Sequence, residues 1–161
     1  MKKIIASILA VICFFMLVGC SNETNDEKVK VFTFYGENDY ISVTNGTAVL
    51  CGEEEVFSGG TLEVLNEEAF ADAVYWSSEF YIAKDGEEKI VTKSIVEDLS
   101  EPASVSISGD LGKMSGPDII TVYGYEDTED FVNNLFMRFT VRNAQGEEST
   151  YELHMQVEQV Y

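Results

Sequence analysis

The sequence predicts an all-β sandwich with Greek-key connections, and three observations carry that expectation. From Val29 onward apolar and polar residues alternate in short runs, the period of strands with one buried face. Gly, Asn and Asp punctuate the runs. No part of this region sustains a helical period. About nine strands result, at a spacing typical of sandwiches, with a β-barrel as the alternative architecture.

Val29 to Tyr35 reads as the first strand. Tyr40 to Cys51 reads as a hairpin, because Asn45-Gly46 offers the two positive-φ positions of a type I′ turn. Pairing outward from that turn sets Val43 opposite Ala48 and Ile41 opposite Leu50 on a core face. Thr44 and Thr47, Ser42 and Val49, and Tyr40 and Cys51 then face each other on the opposite side. Thr61 to Leu65, Tyr75 to Ala83, Ile90 to Glu97, Ala103 to Ser108 and Asp118 to Tyr125 follow as strands, with Asp85-Gly86 as a hairpin turn. Asn66 is placed to cap a short helix reaching toward Val74, with Glu67 and Glu68 in its first turn. Glu126 to Asn133 reads as a loop or a single helical turn.

Parity fixes the closing hairpin. Leu135, Met137, Phe139 and Val141 are odd-numbered, as are Tyr151, Leu153, Met155 and Val157. A two- or four-residue loop would put the two apolar sets on opposite faces, whereas the three-residue loop Ala144-Gln145-Gly146 keeps them together. Asn143 and a left-handed Gly146 suit a type I turn with a G1 bulge. Phe139 then meets Tyr151 and Met137 meets Leu153, while Arg138 faces Glu152 and Arg142 faces Glu148 outside. Each charged pair contributes ~0.2–1 kcal/mol. This hairpin, with its long final strand Ser149 to Val157, resembles the last two strands of immunoglobulin-like domains on bacterial surface proteins. The likeness is architectural and implies no functional residue.

Ahead of the domain, Lys2 and Lys3 precede an uncharged apolar run from Ile4 to Leu17, the layout of an export signal. The run is too short for a permanent span, which needs about 20 apolar residues. It ends in Leu17-Val18-Gly19-Cys20, which resembles the lipobox of bacterial lipoproteins. The resemblance implies cleavage before Cys20 and diacylglycerol on its sulfur, with residues 1–19 as signal peptide, 20–28 as lipidated cysteine and polar tether, and 29–161 as one domain. It also implies an extracytoplasmic position on the bacterial cell membrane. More than one acyl chain makes such an anchor stable. The chain as a whole resembles small acidic surface lipoproteins of Gram-positive bacteria, a likeness that implies location rather than activity.

Charge narrows the partners. Ten Lys+Arg stand against 29 Asp+Glu, a net −19. Loss of residues 1–19 removes two lysines and no acid, leaving 8 against 29, or −21. Phosphate backbones are bound by counterion release, so nucleic acid is not expected as a partner, and anionic headgroups repel the domain. Cys13 leaves with the signal and Cys20 takes lipid, so Cys51 is single and no internal disulfide is expected. With no basic neighbour in sequence to depress its pKa, Cys51 reads as an inert, partly buried thiol.

No catalytic residue and no cofactor is assigned from the sequence. His154 is the single histidine, on the outward parity of its strand, which argues against catalytic zinc and against a Ser-His-Asp triad. The segment Gly109 to Gly116 lacks P-loop spacing and reads as a connection between strands. Acidic clusters at Glu53-Glu54-Glu55, at Asp85, Glu87 and Glu88, and at Glu126, Asp127, Glu129 and Asp130 read as solvated. The last is the candidate calcium loop, since hard cations take several carboxylate oxygens. Trp76, Ser78, Phe80 and Ile82 share a core face, while Tyr75, Glu79 and Tyr81 share the other, where the two tyrosines form a candidate ligand face. The expectation is therefore a non-enzymatic module binding an envelope protein or small ligand. A calcium- or glycan-binding surface module and a hydrolase with an unrecognised carboxylate site are the alternatives.

Overall fold

The computed structural model describes residues 29–51, 54–96, 107–120 and 128–161. The signal segment, Cys20, the tether, Glu53, Glu97, Glu126, Asp127 and residues 103–106 of the strand expected over Ala103 to Ser108 lie outside them, and its last two residues, Ile107 and Ser108, are not in a strand. Two antiparallel sheets pack face to face as an all-β sandwich, not a closed barrel.

The strands among the described residues are β1 (Lys30–Glu37), β2 (Ile41–Cys51), β3 (Glu54–Ser58), β4 (Thr61–Val64), β5 (Ala73–Lys84), β6 (Glu87–Val96), β7 (Gly109–Asp110), β8 (Lys113–Gly116), β9 (Leu135–Asn143), β10 (Glu148–His154) and β11 (Gln156–Gln159). A 3-10 turn spans Glu67–Phe70, and α1 spans Glu129–Asn134. The Asn66 side chain accepts from the Ala69 amide, so the cap forms as expected on a shorter element. The larger sheet runs β11, β1, β2, β3, β8, with β4 and β7 continuing the β3 and β8 positions along the other half of β2. The smaller runs β10, β9, β5, β6.

Phenylalanines join the layers. Phe34 stacks on Phe57 at 5.2 Å, and Phe80 of the opposite sheet meets both edge-on at 5.7 and 5.1 Å. Phe131 of α1 closes the cluster against Phe32 at 5.4 Å. All five are fully buried. Each such ring removes some 150–250 Å² from water, which explains how a chain without a disulfide among its described residues is held together.

The Tyr40–Cys51 hairpin is the main correction. Residues 41–51 form one continuous strand that passes through Asn45-Gly46. Ile41 and Val43 face Val64 and Leu62, while Ala48 pairs with Phe32 and Phe57 and Leu50 with Lys30 and Glu55. Asn45 does have a positive φ of 59°, but Gly46 does not, so the pair makes a kink rather than a turn. β1 skips register between Phe34 and Gly36 beside it, and Phe34 lies over Gly46 so closely that a Cβ there would sit 2.1 Å from the ring. The same crease crosses the next strands. Gly60, at φ 80°, would place a Cβ 2.2 Å from the Thr44 carbonyl oxygen. The backbone there bonds instead to the outer strand, Gly59 N–H to the Gly112 carbonyl at 3.0 Å and Leu111 N–H to Gly60 at 2.9 Å.

Three smaller corrections follow. Within Gly109 to Gly116, β7 and β8 are edge strands that pair with β4 and β3, rather than the whole segment being a connection. Of the strand expected over Asp118 to Tyr125, Asp118 to Ile120 are turn and bend, and 121–125 lie outside the described residues. The final strand divides at buried Met155, where the chain leaves β9 and joins β1 in the other sheet. Both sheets face the same core, so Leu153 and Val157 keep the inward parity across the switch.

Candidate functional surface

The outer face of the smaller sheet collects the side chains that the sequence singled out. Its rows follow from the observed registers: Glu148, Arg142 and Tyr75; then Thr150, Thr140, Ser77 and Ile95; then Glu152, Arg138, Glu79 and Lys93; then His154, Phe136, Tyr81 and Ile90. The β9–β10 pairings match the parity argument residue for residue, including Arg138 with Glu152 and Arg142 with Glu148. Asn143 N–H bonds to the Glu147 carbonyl and Gly146 stands at φ 86°, which is the three-residue turn expected.

Arg138 is the centre. Its Nη1 donates to Glu79 Oε1 at 3.0 Å and its Nη2 to Glu88 Oε1 at 2.8 Å, whereas Glu152, its cross-strand partner, lies at 3.9 Å. The guanidinium covers the Tyr81 ring, 4.4 Å from its centroid. Lys93 reaches Glu79 from the other side at 3.0 Å. Glu79 is therefore a nearly buried carboxylate, 8% exposed, flanked by two cations. The hydrogen bond to Glu88 firms the positive charge on Arg138 against the cost of desolvation.

Tyr81 is not an open platform. It is 3% exposed, stacked on Phe136 at 5.5 Å, and its hydroxyl donates to Glu152 at 2.6 Å. Burial, then the hydrogen bond to the carboxylate and the negative charge of Glu152, push its pKa up to about 12. Tyr75 is half-buried beneath Arg142, whose guanidinium lies 4.5 Å from the ring centroid. The expected ligand pair therefore shares a face, but an arginine caps each ring. His154 is exposed, stacked on Phe136 at 4.6 Å, with Nε2 at 2.9 Å from the Asn133 carbonyl.

The acidic clusters divide. Glu54 is exposed, but Glu55 is 2% exposed and accepts from the Ile120 amide, which corrects its solvated reading. Of the calcium loop, Glu126 and Asp127 lie outside the described residues, Glu129 is exposed, and Asp130 pairs with Lys84. Among the described residues no group of three or more His, Cys, Asp or Glu is placed to hold a metal ion. Cys51 is half-buried and forms no disulfide among the described residues. Among the same residues, no helix is long and apolar enough to cross a membrane.

The central roles of Glu79 and Glu88 escaped the sequence reading. Both depend on β5 lying between β9 and β6, a long-range pairing with no local signature. Ile90 and Ile95 of β6 are about half exposed on the same face. Compared with protein-family models, with curated protein sequences and with solved structures, the chain matches none.

Proposed function

We propose that this protein is an extracytoplasmic lipoprotein, anchored through lipid on Cys20, whose sandwich is a non-enzymatic binding module for an envelope protein or other ligand. The observation that carries the reading is the order of basic n-region, apolar Ile4–Leu17 and Gly19-Cys20. The outer face of β10, β9, β5 and β6 is the binding surface. Exposed Ile90 and Ile95 supply apolar contact area beside ion pairs already ordered around Arg138. On that face Lys93, Arg138 and Arg142 nearly balance Glu79, Glu88, Glu148 and Glu152. A partner approaching there meets little of the repulsion that a mature chain of net charge −21 exerts elsewhere.

Two measurements test the reading. Cys20→Ala should release the protein from the membrane fraction, and unchanged fractionation would refute the anchor. Cross-linking of the full chain in its native envelope should enrich one ligand over a charge-matched acidic control. Ile90→Glu with Ile95→Glu should reduce that enrichment at least about tenfold, as expected for loss of central apolar contacts. Equal enrichment by the double variant would exclude this face.

A further inference from the structure

Resting on the lipoprotein reading, we propose that Val160 and Tyr161 touch the headgroup layer of the membrane that holds Cys20, a second, weak contact that stands the sandwich upright. The first support is chain length. Eight residues lie between Cys20 and Val29, nine steps with a reach of at most ~32 Å, so the start of β1 is held within that distance of the bilayer surface. The second is the position of Tyr161. The Val31 amide donates to the Tyr161 carbonyl at 2.8 Å, and the Val160 amide donates to the Val31 carbonyl at 2.8 Å. These bonds hold the residues after β11 beside the point where the chain arrives from Cys20.

The third support is exposure. Tyr161 is 75% exposed, the most exposed large hydrophobic side chain among the described residues, and Val160 is 50% exposed. Tyrosine suits the membrane interface because its ring is apolar and its hydroxyl needs water. A mature chain of net charge −21 gains nothing from anionic headgroups, so this contact is apolar and weakens as anionic lipid is added. Alone it would not hold the domain. Attachment through Cys20 raises the effective concentration of Tyr161 at the surface to the millimolar range, enough to populate a weak contact. From Lys30, β1 runs eight residues away from the membrane, about 26 Å. Tyr40 and Tyr151, in ring contact at 4.8 Å, then lie at the membrane-distal end.

The test uses the full lipidated chain in phosphatidylcholine vesicles, with Trp76→Phe combined with either Tyr161→Trp or Tyr40→Trp. Brominated phosphatidylcholine should quench emission from the indole at position 161 at least about twofold and leave the one at position 40 unchanged. No quenching at 161 in vesicles that float with the protein would overturn the contact, and equal quenching at both positions would overturn the upright orientation. If Cys20 carries no lipid mass and the protein does not float, the lipoprotein reading fails and the contact falls with it, an outcome distinct from the other two. Should Trp76→Phe unfold the domain, the difference between wild type and Tyr161→Trp with Trp76 retained gives the same readout.

Discussion

Asn45-Gly46 and Asp85-Gly86 carry nearly the same local instruction and are used in opposite ways. Asp85 and Gly86 take φ of 52° and 84°, and β5 turns back into β6 with Lys84 facing Glu87. Asn45 takes φ of 59°, yet β2 continues through it. The surroundings decide. Folding back at Gly46 would pair Ile41 with Leu50 and forfeit the partners that β2 has on both sides, Phe32 in β1, Phe57 in β3, and Leu62 and Val64 in β4. Nothing lies within 4 Å of a Cβ at Gly86, whereas Phe34 fills that space at Gly46. A turn dipeptide thus specifies a backbone angle, and tertiary pairing decides whether that angle reverses the chain or only creases it.

The sharpest way to break this comparison is Gly46→Ala. A methyl 2.1 Å from the Phe34 ring must displace the core, at a cost of about 3 kcal/mol or more. Gly60→Ala should cost as much, since it combines a 2.2 Å approach to a backbone oxygen with φ of 80°. Urea midpoints read both effects. A loss below about 1 kcal/mol at Gly46 would mean that Phe34 does not rest on the crease and that a hairpin remains possible.

What was legible in the sequence follows the same division. The β9–β10 turn and its whole register could be read because the parity of both apolar sets leaves one loop length, a constraint contained in twenty-odd neighbouring residues. The Asp85-Gly86 turn and the Asn66 cap are equally local. The crease could not be read, because it arises from four strands meeting side by side. Nor could the sheet switch at Met155, since inward parity is the same whichever sheet Val157 joins. The candidate surface divides likewise. Arg138 opposite Glu152 is a hairpin pair, but the closer contacts to Glu79 and Glu88 come from strands more than forty residues away.

The two arginines of β9 repeat the comparison one level up, with matching sequence settings and different surroundings. Arg138→Met removes a cation from a nearly buried carboxylate and leaves Lys93 as its charged partner, at a cost of about 2 kcal/mol. The same network gives an alkaline signature. Tyr81 keeps its proton to about pH 12 in the folded state, against 10 for an ordinary tyrosine. Between these values the unfolded chain has lost a proton that the native protein retains, so stability is complete below about pH 10 and falls as pH rises toward about 12. Tyr81→Phe should flatten that part of the stability profile, and a slope unchanged by the substitution would assign it to another group.

Gly86→Ala belongs to the next tier. Its φ of 84° strains any side chain, but nothing surrounds it, so the loss should be about 1 kcal/mol by urea denaturation. A value equal to that of Gly46→Ala would show that φ alone, and not the overlying ring, sets the cost at both positions.

Arg142→Ala should have the smallest effect. Its contact with Glu148 is 4.0 Å long, with both side chains about half exposed. Such a pair contributes less than about 0.5 kcal/mol and less again in salt. What the substitution changes is access, because the guanidinium over Tyr75 leaves and the ring face opens to solvent. Arg142→Ala should therefore leave the melting temperature nearly unchanged while altering capture by the outer face in either direction. A large loss of stability with unaltered capture would reverse the roles given to the two arginines, making Arg142 a structural residue and removing Tyr75 from the proposed binding surface.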